Sequence, residues 1–161
     1  AALMAQLHQA TGLTWLVTTS RRTPAEFETA LRAGLPATAI ADACWFHAGD
    51  QRRVVSGYLG GAAAVFVSED SMSMIHEAIT SEQRLVTLRP AQANPPPSHQ
   101  AYLEHASQQR WIRTEPLATT SLVAVRQWLD SGGSYTGDAL ADMGRRLLEC
   151  LAQRGQLPRQ T

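Results

Sequence analysis

Two short polar segments of the chain have the residue types to grip a phosphate. The first, Thr19-Ser20-Arg21-Arg22-Thr23, combines hydroxyls, two guanidinium groups and backbone N–H groups just ahead of a helix. A helix start carries partial positive charge and unpaired N–H groups, so such a segment suits an anion. The same residues also fit a plainer role, with Arg21 and Arg22 as solvated loop charges and Ser20 and Thr23 as turn and cap. The second segment is Ser68-Glu69-Asp70-Ser71-Met72-Ser73-Met74-Ile75-His76-Glu77-Ala78. On a helical wheel, Asp70, Ser73, His76 and Glu77 share one arc, and Met72, Met74, Ile75, Ala78 and Ile79 share the other. The polar arc begins at a helix start, and Glu77 lies about 10 Å further along at ~1.5 Å per residue. That reach suits a carboxylate accepting ribose hydroxyls while phosphates sit at the helix start. An amphipathic helix with a solvated polar arc, capped by Asp70 or Ser71, accounts for the same spacing.

Other chemistries find less support. Glu69 and Asp70 are neighbours, but adjacent carboxylates on a turn point apart and one of them serves as a cap, which argues against a metal or acid/base pair. His47, between Cys44-Trp45-Phe46 and Gly49-Asp50, is placed to end a strand near the same crevice, where it either touches a base or sugar or packs beside Trp45 as a structural histidine. The five histidines, at 8, 47, 76, 99 and 105, show no H-x-x-x-H spacing, so no metal is expected. There is no G-x-S-x-G elbow and no G-x-x-x-x-G-K-[ST] loop, and Gly57-Tyr58-Leu59-Gly60-Gly61 ends a helix instead of opening one after a strand. Serine-hydrolase triads, P-loop hydrolysis and classical NAD binding lose support accordingly, and no cofactor is expected.

The elements that must position these residues follow from hydrophobic patterning. Leu13–Thr18, Ala37–Ile40, Ala64–Val67 and Leu85–Leu88 are near-continuous apolar runs, as expected for strands buried on both faces. Helical patterns lie at about Pro24–Ala33, Arg52–Gly60, Ser71–Ser81, Ser98–Gln109, Thr119–Asp130 and Asp138–Arg154, with a further helix over Ala1–Ala10. Thr23 is a suitable cap, Pro24 suits the first helical position, Glu26 falls three residues after the cap, and Gly34 ends that helix. Asn94-Pro95-Pro96-Pro97 and Ser131-Gly132-Gly133-Ser134 read as breaks. Alternating strand and helix predicts an α/β, Rossmann-like three-layer sandwich with a mostly parallel sheet. In such a sheet the ligand crevice lies beyond the carboxyl ends of the strands, where the strand order reverses, and both polar segments fall at such ends.

Composition bounds the partners. The 161 residues suffice for one domain over 1–161, whose folding buries roughly 70% of the surface an unfolded chain exposes. With 44% hydrophobic and 17% charged residues the chain is ordinary globular material, which excludes disordered, collagen-like and coiled-coil readings. Fourteen Lys and Arg balance fourteen Asp and Glu, so no broad positive field holds a nucleic acid or an anionic lipid surface. Cys44 and Cys150, far apart in sequence, are expected to be reduced and buried. No apolar run approaches the ~18 residues of a membrane span and no secretory pattern opens the chain, so a cytoplasmic protein is expected.

Three segments together carry a resemblance: Leu16-Val17-Thr18-Thr19-Ser20-Arg21-Arg22-Thr23-Pro24, then Gly57-Tyr58-Leu59-Gly60 leading into Ala62–Val67, then Ser68–Ala78. From about Leu13 to Leu88 the chain resembles the mitochondrial fission "elongated mitochondria" family, whose bacterial members are often labelled nucleoside-diphosphate-sugar epimerases. That family is in turn similar to two-domain glycosyltransferases of the B type, and the resemblance implies the C-terminal, nucleotide-sugar-binding half of such a protein, with an N-terminal domain as its missing partner. It also implies a nucleoside-diphosphate sugar as ligand, with ribose on Glu77 and the diphosphate at Ser71 and Ser73, faced by Ser20 and Arg21. Catalytic residues stay unassigned. Plant members act as recruiting factors in organelle division, so a non-catalytic interaction protein is the alternative. A sugar-nucleotide hydrolase or epimerase complete in one chain would have to draw on His47, Glu69 and Asp70. The chain departs from the family pattern at Arg52-Arg53-Val54-Val55, in place of an Asn-Pro-Tyr-like stretch, and at Ser81-Glu82-Gln83-Arg84, in place of a Gly-Lys-Pro turn.

Overall fold

A computed structural model describes residues 1–138. The elements run α1 (Ala2–Thr11), β1 (Trp15–Thr18), α2 (Ala25–Gly34), β2 (Ile40–Cys44), α3 (Val55–Gly61), β3 (Ala64–Ser68), α4 (Met72–Thr80), β4 (Arg84–Arg89), α5 (Pro97–Gln108), β5 (Ile112–Pro116) and α6 (Leu122–Ser131). The class is α/β and Rossmann-like, and every strand pairing is parallel. The strands form two sheets, β1-β2 and β3-β4-β5. The chain moves outward from β1 to β2, then in the other sense from β3 through β4 to β5, so the reversal falls between β1 and β3.

The main core belongs to the three-stranded sheet. Ile75, Ala78 and Ile79 of α4 and Leu103 and Ala106 of α5 close over Val67, Leu85 and Ile112, with Tyr135 sealing one side. This is the apolar arc read from the wheel, and it faces the sheet as its periodicity requires. Leu85, Val86 and Thr87 of the central strand β4 are all buried, as expected of a parallel strand covered on both faces. Leu7 of α1 and Val125 of α6 are fully buried, and α6 packs on both β4 and α1.

Several local expectations are corrected. Ala37–Ala39 is a turn of 3-10 helix, closed by the Ala39 N–H on the Pro36 carbonyl at 2.9 Å, and the strand runs from Ile40 to Cys44 instead. Thr23 does not cap α2. Its hydroxyl accepts the Ser20 N–H at 3.1 Å and its own N–H returns to the Ser20 carbonyl at 2.9 Å, so Ser20–Thr23 closes into a turn of its own. Pro24 then becomes the cap residue, its carbonyl accepting from Phe27 and Glu28. Strand β5 was hidden because Arg113, Thr114 and Glu115 disguise its apolar pattern. The helix expected over Asp138–Arg154 and residue Cys150 lie outside the described residues; Cys44 is a buried free thiol.

The turn after α4 places exposed Glu82 in the left-handed region, at φ 60°. A side chain there is strained against its own carbonyl, and glycine is not. Glu82→Gly is therefore expected to stabilise the fold, by up to about 1 kcal/mol once the extra freedom glycine gives the unfolded chain is offset. A urea midpoint that rises on this substitution bears out the backbone conformation, and one that falls contradicts it.

Candidate functional site

The two polar segments meet at the reversal point. A guanidinium N–H of Arg22, in the turn after β1, donates to the hydroxyl of Ser71, the residue capping α4, at 3.3 Å. Arg22 and Ser71 are separated by 49 positions in sequence, and the contact is made because β1 and β3 are spatial neighbours across the strand reversal. Of the paired arginines it is Arg22 that bridges; Arg21 is exposed in the same turn.

The first turn is held in place by a buried carboxylate that the sequence reading passed over. Glu28 of α2 is 2% exposed. It accepts the Thr19 hydroxyl at 2.5 Å and the backbone N–H groups of His47 and Ala48 at 3.1 Å each. The Thr19 oxygen in turn accepts the Phe46 N–H at 2.9 Å. Burial pushes the Glu28 carboxyl up, but the Thr19 hydroxyl and the two N–H groups outweigh it and leave it below the usual glutamate range. His47 lies in the 3-10 turn Phe46–Ala48 rather than on a strand, and its Nε2–H donates to the Thr23 carbonyl at 2.6 Å. The turns after β1 and β2 are thus one hydrogen-bonded unit, and His47 braces the Arg22 turn through its Nε2.

The second segment is anchored similarly. Glu69, 4% exposed, accepts the Thr87 hydroxyl at 2.9 Å and the Arg89 Nε–H at 2.6 Å, and the Thr87 hydroxyl is 3.0 Å from that of Thr114. Asp70, its neighbour, is exposed, so the two carboxylates point apart. Ser73 and Glu77 are exposed on α4. His76 on the same arc stacks on Tyr102 of α5, ring centroids 4.5 Å apart, and joins the two helices. No group of His, Cys, Asp and Glu suited to a metal ion occurs among the described residues.

Beneath the Arg22–Ser71 contact the sheets stand apart. A cleft of about 1150 Å³ separates them, with Thr18 and Ser68 at the carboxyl ends of its two walls. Trp15 and Phe66 meet edge to face across it, ring centroids 5.1 Å apart. Its walls are mainly apolar side chains and backbone, including Leu16, Val65 and Met74.

With this geometry in view, the comparison with known families decides the lineage. A family model described as mitochondrial fission ELM1 matches residues 1–128. The chain belongs to that family. No curated protein and no solved structure matches it. The family match takes in the Arg22 turn, α4 and the end of β4. No helix among the described residues is long and apolar enough to cross a membrane.

A second polar cluster lies on the outer strand, and its Tyr58 also lines the cleft. Arg52 donates to both Asp42 oxygens, at 3.1 and 3.2 Å, and through Nε to Asp50 at 2.9 Å, while the Tyr58 hydroxyl donates to Asp42 at 2.8 Å. It ties the connection between β2 and α3 to the strand. Hydrogen bonds from Arg52 and then Tyr58 hold the Asp42 carboxyl down at about 2, and Arg52 lowers Asp50 as well. Burial, then the Asp42 carboxylate, raises the Tyr58 hydroxyl to about 12.

These carboxyls bind protons less readily folded than unfolded, so their contribution is complete above the unfolded value near 4 and is lost as pH falls toward 2. The urea midpoint should drop across that interval. Asp42→Asn should lower stability at neutral pH and flatten the acid limb; an acid limb unchanged in this variant means that Asp42 is not paired as described.

Proposed function

We propose that this chain is a nucleotide-sugar-binding domain, resembling the C-terminal half of a B-type glycosyltransferase, that takes the diphosphate between the turn after β1 and the start of α4. The observation that carries this reading is the Arg22–Ser71 contact, which brings a guanidinium, a hydroxyl and the N–H groups of a helix start to one point of the strand reversal. Glu77, two turns along the exposed arc of α4, is the ribose-binding carboxylate of this reading, and Ser20, Arg21, Thr23 and Ser73 complete the phosphate environment. Asp70 and His47 stand at the rim. When a glycosidic C–O bond breaks, charge grows on the diphosphate leaving group, and preorganised N–H dipoles and a guanidinium stabilise that charge without reorganising. The acceptor site and any general base would come from an N-terminal partner domain, so the chain alone binds without turnover.

A second reading, a recruiting protein with the same fold, draws on exposed hydrocarbon. Phe27 is 51% and Leu117 44% exposed, and both border the cleft together with Leu13 and Leu16. Trp111 packs edge-on against Tyr135 and His105.

Thermal unfolding with uridine, guanosine, adenosine and thymidine diphosphates separates the two. A binding nucleotide at 100 times its dissociation constant adds about 2.7 kcal/mol and raises the midpoint. Arg22→Ala should weaken that binding roughly tenfold to hundredfold, the loss of a charge-assisted hydrogen bond. No shift with any of the four leaves the recruiting role in possession.

A further inference from the structure

Among the described residues, the buried charged side chains are Glu28, Glu69 and Glu115, all at the carboxyl-end rim, and two of them hold an arginine. The two arginines are held differently. Arg113 presents both Nε and a terminal nitrogen to Glu115 Oε1, so its fork is turned inward. Arg89 is bound to Glu69 through Nε, at 2.6 Å. Its terminal nitrogens have no partner among the described residues, and 43% of its side chain is exposed while that of Glu69 is 1% exposed.

A carboxylate buried to this degree contributes little net stability through its ion pair, because desolvation offsets the attraction. What it does supply is orientation. Glu69 is fixed on its other oxygen by Thr87, which is itself backed by Thr114, so the direction from which it holds Arg89 is set. With Nε taken, the two terminal nitrogens form the open edge of the guanidinium, the geometry that meets two phosphate oxygens at once. Arg89 ends β4, which pairs with β3 so that Ser68 faces Leu88, and the turn from Glu69 to Ser71 follows directly from that pairing. Arg89 therefore flanks this turn from the β4 side, as Arg22 flanks it from the β1 side at Ser71.

We propose that Arg89 is a second phosphate-binding residue of this crevice, oriented by Glu69, and that it makes the site select diphosphate esters over monophosphates. Resting on the nucleotide-sugar reading, the inference assigns one phosphate to the Arg22–Ser71 side of the turn and the other to Arg89. Glu69 acts as a positioning residue.

Calorimetric titration of the full chain with uridine and guanosine mono- and diphosphates, and with inorganic pyrophosphate as competitor, tests it. The unaltered chain should bind the diphosphates tighter and release them to pyrophosphate. Arg89→Gln should cost the diphosphate roughly tenfold or more and leave the monophosphate within about twofold, collapsing the preference. Arg89→Lys keeps the charge beside Glu69 but loses the fork, and should also lose most of the preference; it decides the matter if the Gln variant does not fold. Glu69→Gln should weaken the preference without abolishing monophosphate binding. If the chain binds diphosphates and the Arg89 variants keep the same mono-to-diphosphate ratio, the assignment of Arg89 is wrong while the nucleotide reading stands. If the unaltered chain binds no nucleotide, both fall.

Discussion

Carboxylates taken out of water at the carboxyl ends of parallel strands are the constraint on which the rest of the rim depends. Glu28, Glu69 and Glu115 are each at most 5% exposed. An isolated buried carboxylate is prohibitively costly, so each must collect donors, and the donors available at this edge are loop backbone, hydroxyls and arginines. Glu28 gathers Thr19, His47 and Ala48, Glu69 gathers Thr87 and Arg89, and Glu115 gathers Arg113 and the N–H of Ser121, the cap of α6. Loops that would otherwise fluctuate are fastened to the sheet by groups that cannot be left unsatisfied.

This fastening explains how loops make a fixed site on a sheet that is split. β1-β2 and β3-β4-β5 are separate hydrogen-bonded units with a cleft between them. Backbone pairing therefore does not carry the alignment of the Arg22 turn with α4; the side-chain bridge at Ser71 spans the gap above Trp15 and Phe66. The energetic weight of the fold sits on the other side, in the contacts of α4 and α5 with β3, β4 and β5. The half that carries Arg22 has a thinner core, and it is correspondingly knit by polar contacts: the Glu28 network at the rim and the Asp42–Arg52–Tyr58 cluster on its outer strand.

A ligand at the reversal point would touch both units at once. Membership of the mitochondrial fission ELM1 family is consistent with either a nucleotide-sugar site or a recruiting surface, because family and fold constrain the scaffold and leave the chemistry to the residues at the rim. Here those residues are polar and charged at the carboxyl ends and apolar along the cleft, a division that gives each reading its own part of the molecule.

The α/β class, the alternation of strand and helix as far as β4, the inward face of α4 and the juxtaposition of the two polar turns were legible in the sequence, because they follow from local periodicity and from the handedness of strand–helix–strand units. Local signals failed where a polar residue is recruited from a distance. Thr23 looks like a helix cap in isolation, yet its hydroxyl serves Ser20; Glu28 looks like a solvent-facing helix residue, yet it is the post for two turns; Arg113 and Glu115 hid a strand. The choice of Arg22 over Arg21, the bracing of His47 and the outward fork of Arg89 are likewise tertiary decisions. A carboxylate's partners are set by which donors the packed chain brings within 3 Å, and neither spacing nor propensity encodes that distance.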